Sequence, residues 1–162
     1  MKNNLYTTLK QLEKSSIETG HHYVQVLDYL REIAHCLTYI VEPFNNHLDN
    51  VHPAMINEQE IEVMRVLQDV NSFYLLSGEI IKNDNYQDVE SLVRLNAGII
   101  EKLEELKKLQ VKLIKANKVK TKNSLVFFNF LSETKNMLLF SINLVKSHRD
   151  FLKKNGKKEF DY

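Results

Sequence analysis

The stretch LVRLNAGIIEKLEELKKLQVKL, residues 92–113, decides the fold class of this chain. Positions along it recur at alternating steps of four and three, which is the spacing of a helix seam in a bundle or coiled coil. The seam consists of Leu92, Asn96, Ile99, Leu103, Leu106, Gln110 and Leu113. Two amides therefore interrupt an otherwise aliphatic row. The pattern predicts a long helix over about residues 86–117 with this row buried.

Three more segments have helical periodicity, which makes four helices in all. They are expected over about residues 5–49, from Asn57 to about Lys82, and over about residues 124–154. Their apolar side chains recur at helical spacing and are expected to face the core. In the first segment these are Leu27, Leu30, Ala34, Leu37, Val41, Phe44 and Leu48. In the second they are Val63, Val66, Leu67, Val70, Phe73 and Tyr74. In the fourth they are Phe128, Leu131, Leu138, Ile142, Val145 and Leu152.

The connections between these segments are short, which favours antiparallel neighbours. Pro53 marks the first connection, and Asn57 with Glu60 three residues later resembles a capping box at the start of the second helix. Pro43 lies late in the first helix, where its ring is expected to kink or end it. The sequence therefore predicts an all-α, antiparallel up-and-down helical bundle.

Composition is typical of one globular domain from a reducing compartment. The 162 residues include four Gly and two Pro, too few for β-rich folds built on tight turns, and one cysteine, which excludes an internal disulfide. The net charge of +1 gives no field that would attract nucleic acid, and no apolar run approaches the ~18 residues of a membrane span. We expect one soluble domain over residues 1–154, a flexible tail over 155–162, and no nucleic-acid partner.

The segment from His21 to His52 contains five of the six histidines, and it holds the candidate metal ligands. Asp28, Glu32 and His35 are spaced by four and three, so they share one side of a helix. Carboxylate and imidazole groups are ligands for divalent Zn, Fe or Mn. The row is expected to point away from the Leu27 stripe, toward solvent, which leaves open a surface metal site or a plain solvated face.

No set of residues predicts catalysis, and the chain is not expected to be an enzyme. The sequence lacks a Gly-rich phosphate loop, an H-E-x-x-H motif and a G-x-S-x-G motif. His35 and Cys36 are neighbours and diverge by about 100° on a helix, which argues against a nucleophile and base pair. His47, Asp49 and His52 near the first connection are open to three interpretations, as ligands, as a helix cap or as loop polarity.

Two other clusters leave alternatives open. Seven lysines and no acid lie between Lys107 and Lys122, which suits either the C-terminal end of a helix or a surface for anionic lipid or a partner. Phe127, Phe130 and Phe140 diverge from the core stripe of the fourth helix, so we expect them to contact a second subunit or a membrane-embedded partner. The alternative is a broader core in which the first helix, with residues 5, 9 and 12, covers these rings.

Two runs resemble a known family. HYVQVLDYLREIAHCLTYIVEPFNNHLDNVH, residues 22–52, and NSLVFFNFLSETKNMLLFSINLVKSH, residues 123–148, look like the PhoU-like cytoplasmic domain at the C-terminus of some bacterial Pit-type inorganic phosphate transporters. The resemblance implies helical bundles that bind metal clusters through surface D/E-x-x-x-D-type motifs. Asp28 and Glu32 keep one such pair, and Glu133 is the acidic residue that the fourth helix offers.

The resemblance further implies a regulatory module that senses or gates phosphate transport without transporting. Its partners would be the membrane permease domain of the same transporter and a second copy of itself, at the cytoplasmic face of the inner membrane. Two alternatives stay open: a free-standing helical scaffold or dimerisation module, and, more remotely, a metal-dependent bundle enzyme with inward-facing ligands.

Overall fold

The computed structural model describes residues 2–50 and 53–154, with side chains for 17, 20–50 and 53–153. Within them the chain forms four long helices and a short 3-10 turn at Tyr86–Asp88, with no strand. The helices are α1 (Lys2–Asp49), α2 (Asn57–Lys82), α3 (Val89–Lys115) and α4 (Thr121–Lys154). The all-α helical bundle predicted from the sequence is confirmed.

Ring contacts show that α1 and α4 run in opposite directions. Tyr23 lies against Phe151 and Tyr29 against Phe140, each pair with centroids 6.4 Å apart. As residue numbers rise along α1 they fall along α4. The N-terminal part of α1 therefore lies at the end of the bundle where α4 finishes.

Polar contacts show the same antiparallel order for α2 and α3. Gln59 Nε2 donates to Gln110 Oε1 at 3.0 Å, and Lys102 Nζ donates to Asp69 Oδ2 at 2.6 Å. Each helix thus reverses the direction of the one before it, as short connections require.

Both α2 and α3 end in the same hydrogen-bonded motif. Asp84 and Asn117 have φ values of 52° and 53°, in the left-handed region that Asn and Asp tolerate better than most residues. After α3, Lys118 N donates to Leu113 O at 3.0 Å and Asn117 N donates to Ile114 O at 2.9 Å. These bonds satisfy carbonyls that a helix end would otherwise leave free.

The start of α2 and the course of α1 differ from expectation. The cap residue is Ile56, whose backbone N–H donates to the Gln59 side chain at 3.3 Å, so the predicted box of Asn57 and Glu60 is wrong. Gln59 fits because it is the third helical residue, from which a side chain reaches back to the cap. α1 continues through Pro43 to Asp49 without ending there.

Most of the core comes from α2, α3 and α4, much as the periodicity predicts, and α1 adds Cys36. The row on α3 is buried from Leu92 to Gln110, with Leu113 half-buried. Leu131, Leu138, Ile142 and Val145 of α4 are buried as well. In α2 the prediction fails at Leu67, which is exposed.

The predicted core face of α1 is wrong. Most of the stripe is exposed in the structure: Leu27, Leu30, Ala34, Leu37, Val41 and Leu48. The side of α1 that packs on α4 instead presents Ile33, Cys36, Ile40 and Phe44. These residues also recur at steps of three and four, so α1 has two apolar sides and the sequence pattern favoured the outer one.

The expectation that three phenylalanines of α4 are exposed is also wrong. Phe127 is 3% exposed and Phe130 is 2% exposed, while Phe140 is half-buried. Phe44 meets Phe130 edge-on with centroids 6.1 Å apart. α4 is central and touches the other three long helices, so its buried arc is wider than one stripe. Residues 5, 9 and 12, the alternative cover, lie outside the described side chains.

Candidate functional site

The row Asp28, Glu32 and His35 lies on α1, but its members do not converge. Arg31 Nη2 is 3.3 Å from Asp28 Oδ1 and 3.4 Å from Glu32 Oε1, so one guanidinium bridges both carboxylates. The His35 ring stacks on Tyr39 with centroids 6.2 Å apart. Glu32 is half-buried, whereas Asp28 and His35 are exposed. Glu32 lies at the margin of the exposed side, with 38% of its side-chain surface accessible.

This arrangement does not fit a bound metal ion as it stands. A metal site needs ligand atoms directed at one point, and here a cation of the chain itself already neutralises two of the three. Over residues 2–50 and 53–154, no group of three or more His, Cys, Asp or Glu side chains is placed to hold a metal. The metal site at this row stays a prediction.

Cys36 is the buried thiol of the chain and lies between α1 and α4. Burial, together with the negative charge and hydrogen bonding of Glu133 and the charge of Glu32, raises the pKa of the Cys36 thiol to about 11. A thiol with such a pKa is protonated at neutral pH and is a poor nucleophile. Glu32 of α1 and Glu133 of α4 both act on this thiol, an arrangement across helices that the sequence did not predict.

His47 has a structural role at the first connection. Its ring is buried, and Nε2 lies 3.0 Å from the carbonyl oxygen of Pro53. That bond ties the end of α1 to the segment leading into α2. Asp49 is exposed. His52, the third residue of this group, lies outside the described residues.

The lysine-rich segment runs from the last turns of α3 through the connection to the start of α4. Six of its seven lysines are exposed, and Lys107 lies 3.4 Å from Glu104 as an ion pair. Lys112 and Lys115 belong to the last turn of α3, where positive charge offsets the helix dipole. The turn lies at the end of the bundle opposite the Tyr23 and Phe151 contact.

A buried chain of hydrogen bonds joins three helices below this turn. Gln59 Nε2 donates to Gln110 Oε1, and Gln110 Nε2 donates to Ser124 Oγ at 2.9 Å. Ser124 Oγ in turn donates to the Lys120 carbonyl at 3.0 Å. Gln110 was visible in the sequence as an amide in an apolar seam, but nothing indicated its partners. This series of hydrogen bonds fixes the alignment of α2, α3 and α4.

An apolar groove runs between α1 and α2. Its middle part has a volume of about 550 Å³, with Leu37 and Val41 on the α1 wall and Leu67 on the α2 wall. A second part, about 470 Å³, lies nearer the first connection and includes Leu48 and Met64. The sequence prediction missed this groove because it placed Leu37, Val41 and Leu67 in the core.

Comparisons with known proteins assign no family. No protein-family model matches the sequence, and no solved structure matches it. Among curated proteins, a stretch is 30% identical over 107 residues to "Endonuclease MutS2" of Streptococcus uberis. That match covers 62% of this chain, and the chain spans 14% of the length of that protein. The similarity is to a small part of MutS2.

None of the helices, over the described residues, combines the length and apolar character needed to cross a membrane.

Proposed function

We propose that this chain is a PhoU-like regulatory domain of an inorganic phosphate transporter, acting on a membrane permease domain at the cytoplasmic face of the inner membrane. The observation that carries the proposal is the resemblance of residues 22–52 and 123–148 to that family. Residues 22–49 of the first run lie on α1 and the second run lies on α4, and these two helices pack along each other in the structure. An antiparallel helical bundle is the fold such a domain needs.

In this proposal the domain modulates transport and carries out no chemistry. The one thiol is protonated at neutral pH, and the two carboxylates of the row on α1 are paired with Arg31. Both features suit a module that acts through contact with a partner. Regulation then depends on surfaces of the bundle that a permease or a second copy can reach.

Phosphate uptake tests the proposal directly. A strain lacking its own phosphate transporters would express the cognate Pit-type permease with and without this domain, and uptake of radiolabelled phosphate would be followed as external phosphate is raised. We expect the domain to change the dependence of uptake on phosphate supply. A Leu103→Asp variant, which disrupts the core, serves as the inactive control. Identical uptake curves with and without the folded domain would contradict the proposal.

The metal prediction can be tested separately by removing Arg31, whose guanidinium competes with a metal ion for the carboxylates of Asp28 and Glu32. Titration of Zn²⁺ or Mn²⁺ followed by calorimetry should show tighter binding in Arg31→Ala than in the unmodified chain, because both carboxylates are then released. Asp28→Asn in the Arg31→Ala background should remove the gain. Equal binding in all three proteins would exclude the row as a metal site.

The prediction that the lysine-rich segment, Lys107 to Lys122, contacts an anionic leaflet is constrained by the geometry of the bundle and can be tested with vesicles. The 34 residues of α4 span about 50 Å, so a tether at the N-terminal end of α1 leaves the lysines far from it unless the bundle lies along the membrane. Co-sedimentation with anionic vesicles should weaken when Lys118, Lys120 and Lys122 are changed to Glu. Equal co-sedimentation with anionic and with neutral vesicles would exclude the contact.

A further inference from the structure

Helices α1 and α2 are held apart, and the apolar groove lies in the gap between them. α1 packs on α4, while α2 packs on α3 and α4, so α1 and α2 make almost no direct contact. The floor of the groove is on α4 and includes Phe130 and Thr134. Its walls include Leu37 of α1 and Leu67 of α2. Three helices therefore border a slot with one open side, which is the shape that a further helix fills.

The groove is long enough for about four turns of helix. Its two parts follow α1 from Ile33 to Leu48, a rise of about 22 Å at about 1.5 Å per residue. The large side chains along its rim are exposed by more than two fifths: Leu37, Val41 and Leu48 on α1, and Met64 and Leu67 on α2. Contiguous exposed apolar side chains mark an interaction surface, unlike single ones. The occupant is therefore expected to be elongated and apolar on the side that faces α4.

The floor of the groove contains an unsatisfied polar group. Thr134 is 2% exposed, and its hydroxyl has no hydrogen-bond partner in the part of the chain that the structure describes. A buried hydroxyl without a partner destabilises a protein, because it loses its bonds to water and gains none. An occupant that places one polar side chain here would supply the missing bond.

The two sides of the bundle carry opposite charge, although the chain as a whole is close to neutral. Over residues 20–49 and 57–82, which belong to α1 and α2, nine acidic side chains stand against three basic ones. α3 and α4 together have twelve basic and six acidic side chains. The groove therefore lies between the two helices with the excess of acid, and a cationic partner is attracted to it.

The acids beside the groove are available to such a partner. Glu60 lines the groove, and Glu42 and Asp49 lie on α1 at the level of its second part. All three are exposed, and none has an ion-pair partner among the residues that the structure describes. Arg31 and Arg65, in contrast, already pair with carboxylates of their own helices. Unpaired charge near the groove is thus negative.

We propose that the groove binds an amphipathic helix of another protein, about four turns long, with its apolar face on α4 and Lys or Arg side chains along its flanks. A second copy that met the groove with its own α1 and α2 would bring the same excess of acid, and anionic lipid would be repelled for the same reason. The proposal rests on the groove and not on the proposed role in phosphate transport.

Two designed peptides test the proposal with the full chain. One has about 16 residues, with leucines at helical spacing on one face and lysines on the other, and the second replaces every lysine by glutamate. Fluorescence anisotropy of the labelled peptides measures binding. The lysine peptide should bind saturably, at least about tenfold more tightly than the glutamate peptide, and its affinity should fall as salt is raised.

Variants of the chain locate the binding site. Leu37→Asp and Leu67→Asp should each weaken binding of the lysine peptide by at least about 30-fold, the scale of an interface hot spot. Each adds a negative charge, so an attraction due to charge alone would become stronger instead. Leu109→Asp is the matched control, because this leucine is 44% exposed and lies on α3, outside the groove. It should leave the affinity within about twofold.

The contribution of charge is tested at Glu60. Glu60→Gln should weaken binding of the lysine peptide about threefold, because a solvated ion pair contributes little. Glu105→Gln is the control, since Glu105 is exposed on α3. An equal effect of the two substitutions would show that the peptide senses only the net charge of the chain, which overturns the proposal.

Circular dichroism checks folding, and Leu37→Gln replaces Leu37→Asp if helicity is lost. No saturable binding of the lysine peptide, equal binding of both peptides, or equal weakening by Leu109→Asp overturns the proposal. Sedimentation velocity and vesicle binding cover the other occupants. A dimer that Leu37→Asp dissociates and the lysine peptide does not displace would assign the groove to a second copy. Vesicle binding that Leu37→Asp abolishes would assign it to lipid, and either result overturns the helix of another protein.

Discussion

Helices α3 and α1 have similar seven-residue patterns in the sequence but take opposite positions in the fold. The row on α3 lies in the core, with Leu103 fully buried. The row on α1 that begins at Leu27 lies on the outside, with Leu37 half-exposed. The difference is in the remaining faces. The outer side of α3 mixes charged residues with apolar ones such as Leu109 and Val111, whereas α1 has a second apolar side, including Ile33 and Ile40, that packs on α4. Periodicity finds an apolar stripe but does not say what covers it.

The largest expected effect separates these two rows. Leu103→Ala should lower the free energy of unfolding by about 2–5 kcal/mol, because it leaves a cavity in a closed core. Leu37→Ala should cost about 1 kcal/mol or less in the monomer, since its neighbours are partly solvent. Urea unfolding of dilute protein measures both. Equal losses would mean that the outer row of α1 is covered within one chain.

A smaller effect is expected from the polar chain inside the core. Gln110→Leu removes the acceptor of Gln59 Nε2 and the donor to Ser124 Oγ, and should cost about 1–3 kcal/mol of unfolding free energy. Asn96→Leu is the control on the same row, because the Asn96 Oδ1 it removes is buried and has no hydrogen-bond partner in the part of the chain that the structure describes. That control should be close to neutral or stabilising.

Chemical denaturation of the two amide variants gives the comparison. A loss in Asn96→Leu as large as that in Gln110→Leu would show that packing at the seam, and not hydrogen bonding, sets the cost. The opposite order, with Gln110→Leu neutral, would show that the chain of bonds contributes no net stability.

Much of the fold was predictable because most of its helices bury one face. Hydrophobic periodicity and the polar residues that end helices are enough to predict the α3 row, the limits of α2 and the aliphatic core of α4. Phe127 and Phe130 were misplaced because α4 is surrounded by three helices, a fact of topology that one helix cannot reveal. Arg31 was visible beside Asp28 and Glu32, yet only its side-chain conformation shows that it bridges them. The groove could not be predicted, since it depends on which of two apolar sides of α1 meets α4.

The α1–α4 contact makes stability sensitive to alkaline pH through Cys36. The folded chain holds the thiol pKa at about 11, against an ordinary value of 9.0. The stability linked to the protonated thiol is therefore complete below pH 9 and is lost as pH rises from about 9 through about 11, because the unfolded chain releases its proton first. Cys36→Ala should show a shallower fall in unfolding free energy over that window. Parallel curves for the two proteins would contradict the burial of this thiol.

The smallest effect is expected at Glu104, on the exposed side of α3. Its Oε1 lies 2.7 Å from Lys135 Nζ on α4 and 3.4 Å from Lys107 Nζ, and these partners lower the pKa of the carboxyl below its ordinary value. A depressed pKa adds stability above the ordinary value of 4.5 that is lost as pH falls through the folded pKa. Because the group is solvated, screening keeps the gain small, and Glu104→Gln should shift the unfolding midpoint only slightly. NMR titration of the side-chain carboxyls, with exposed Glu105 as the internal reference, measures the pKa directly. A Glu104 pKa at or above that of Glu105 would mean that the ion pair with Lys135 does not join α3 to α4 at this point.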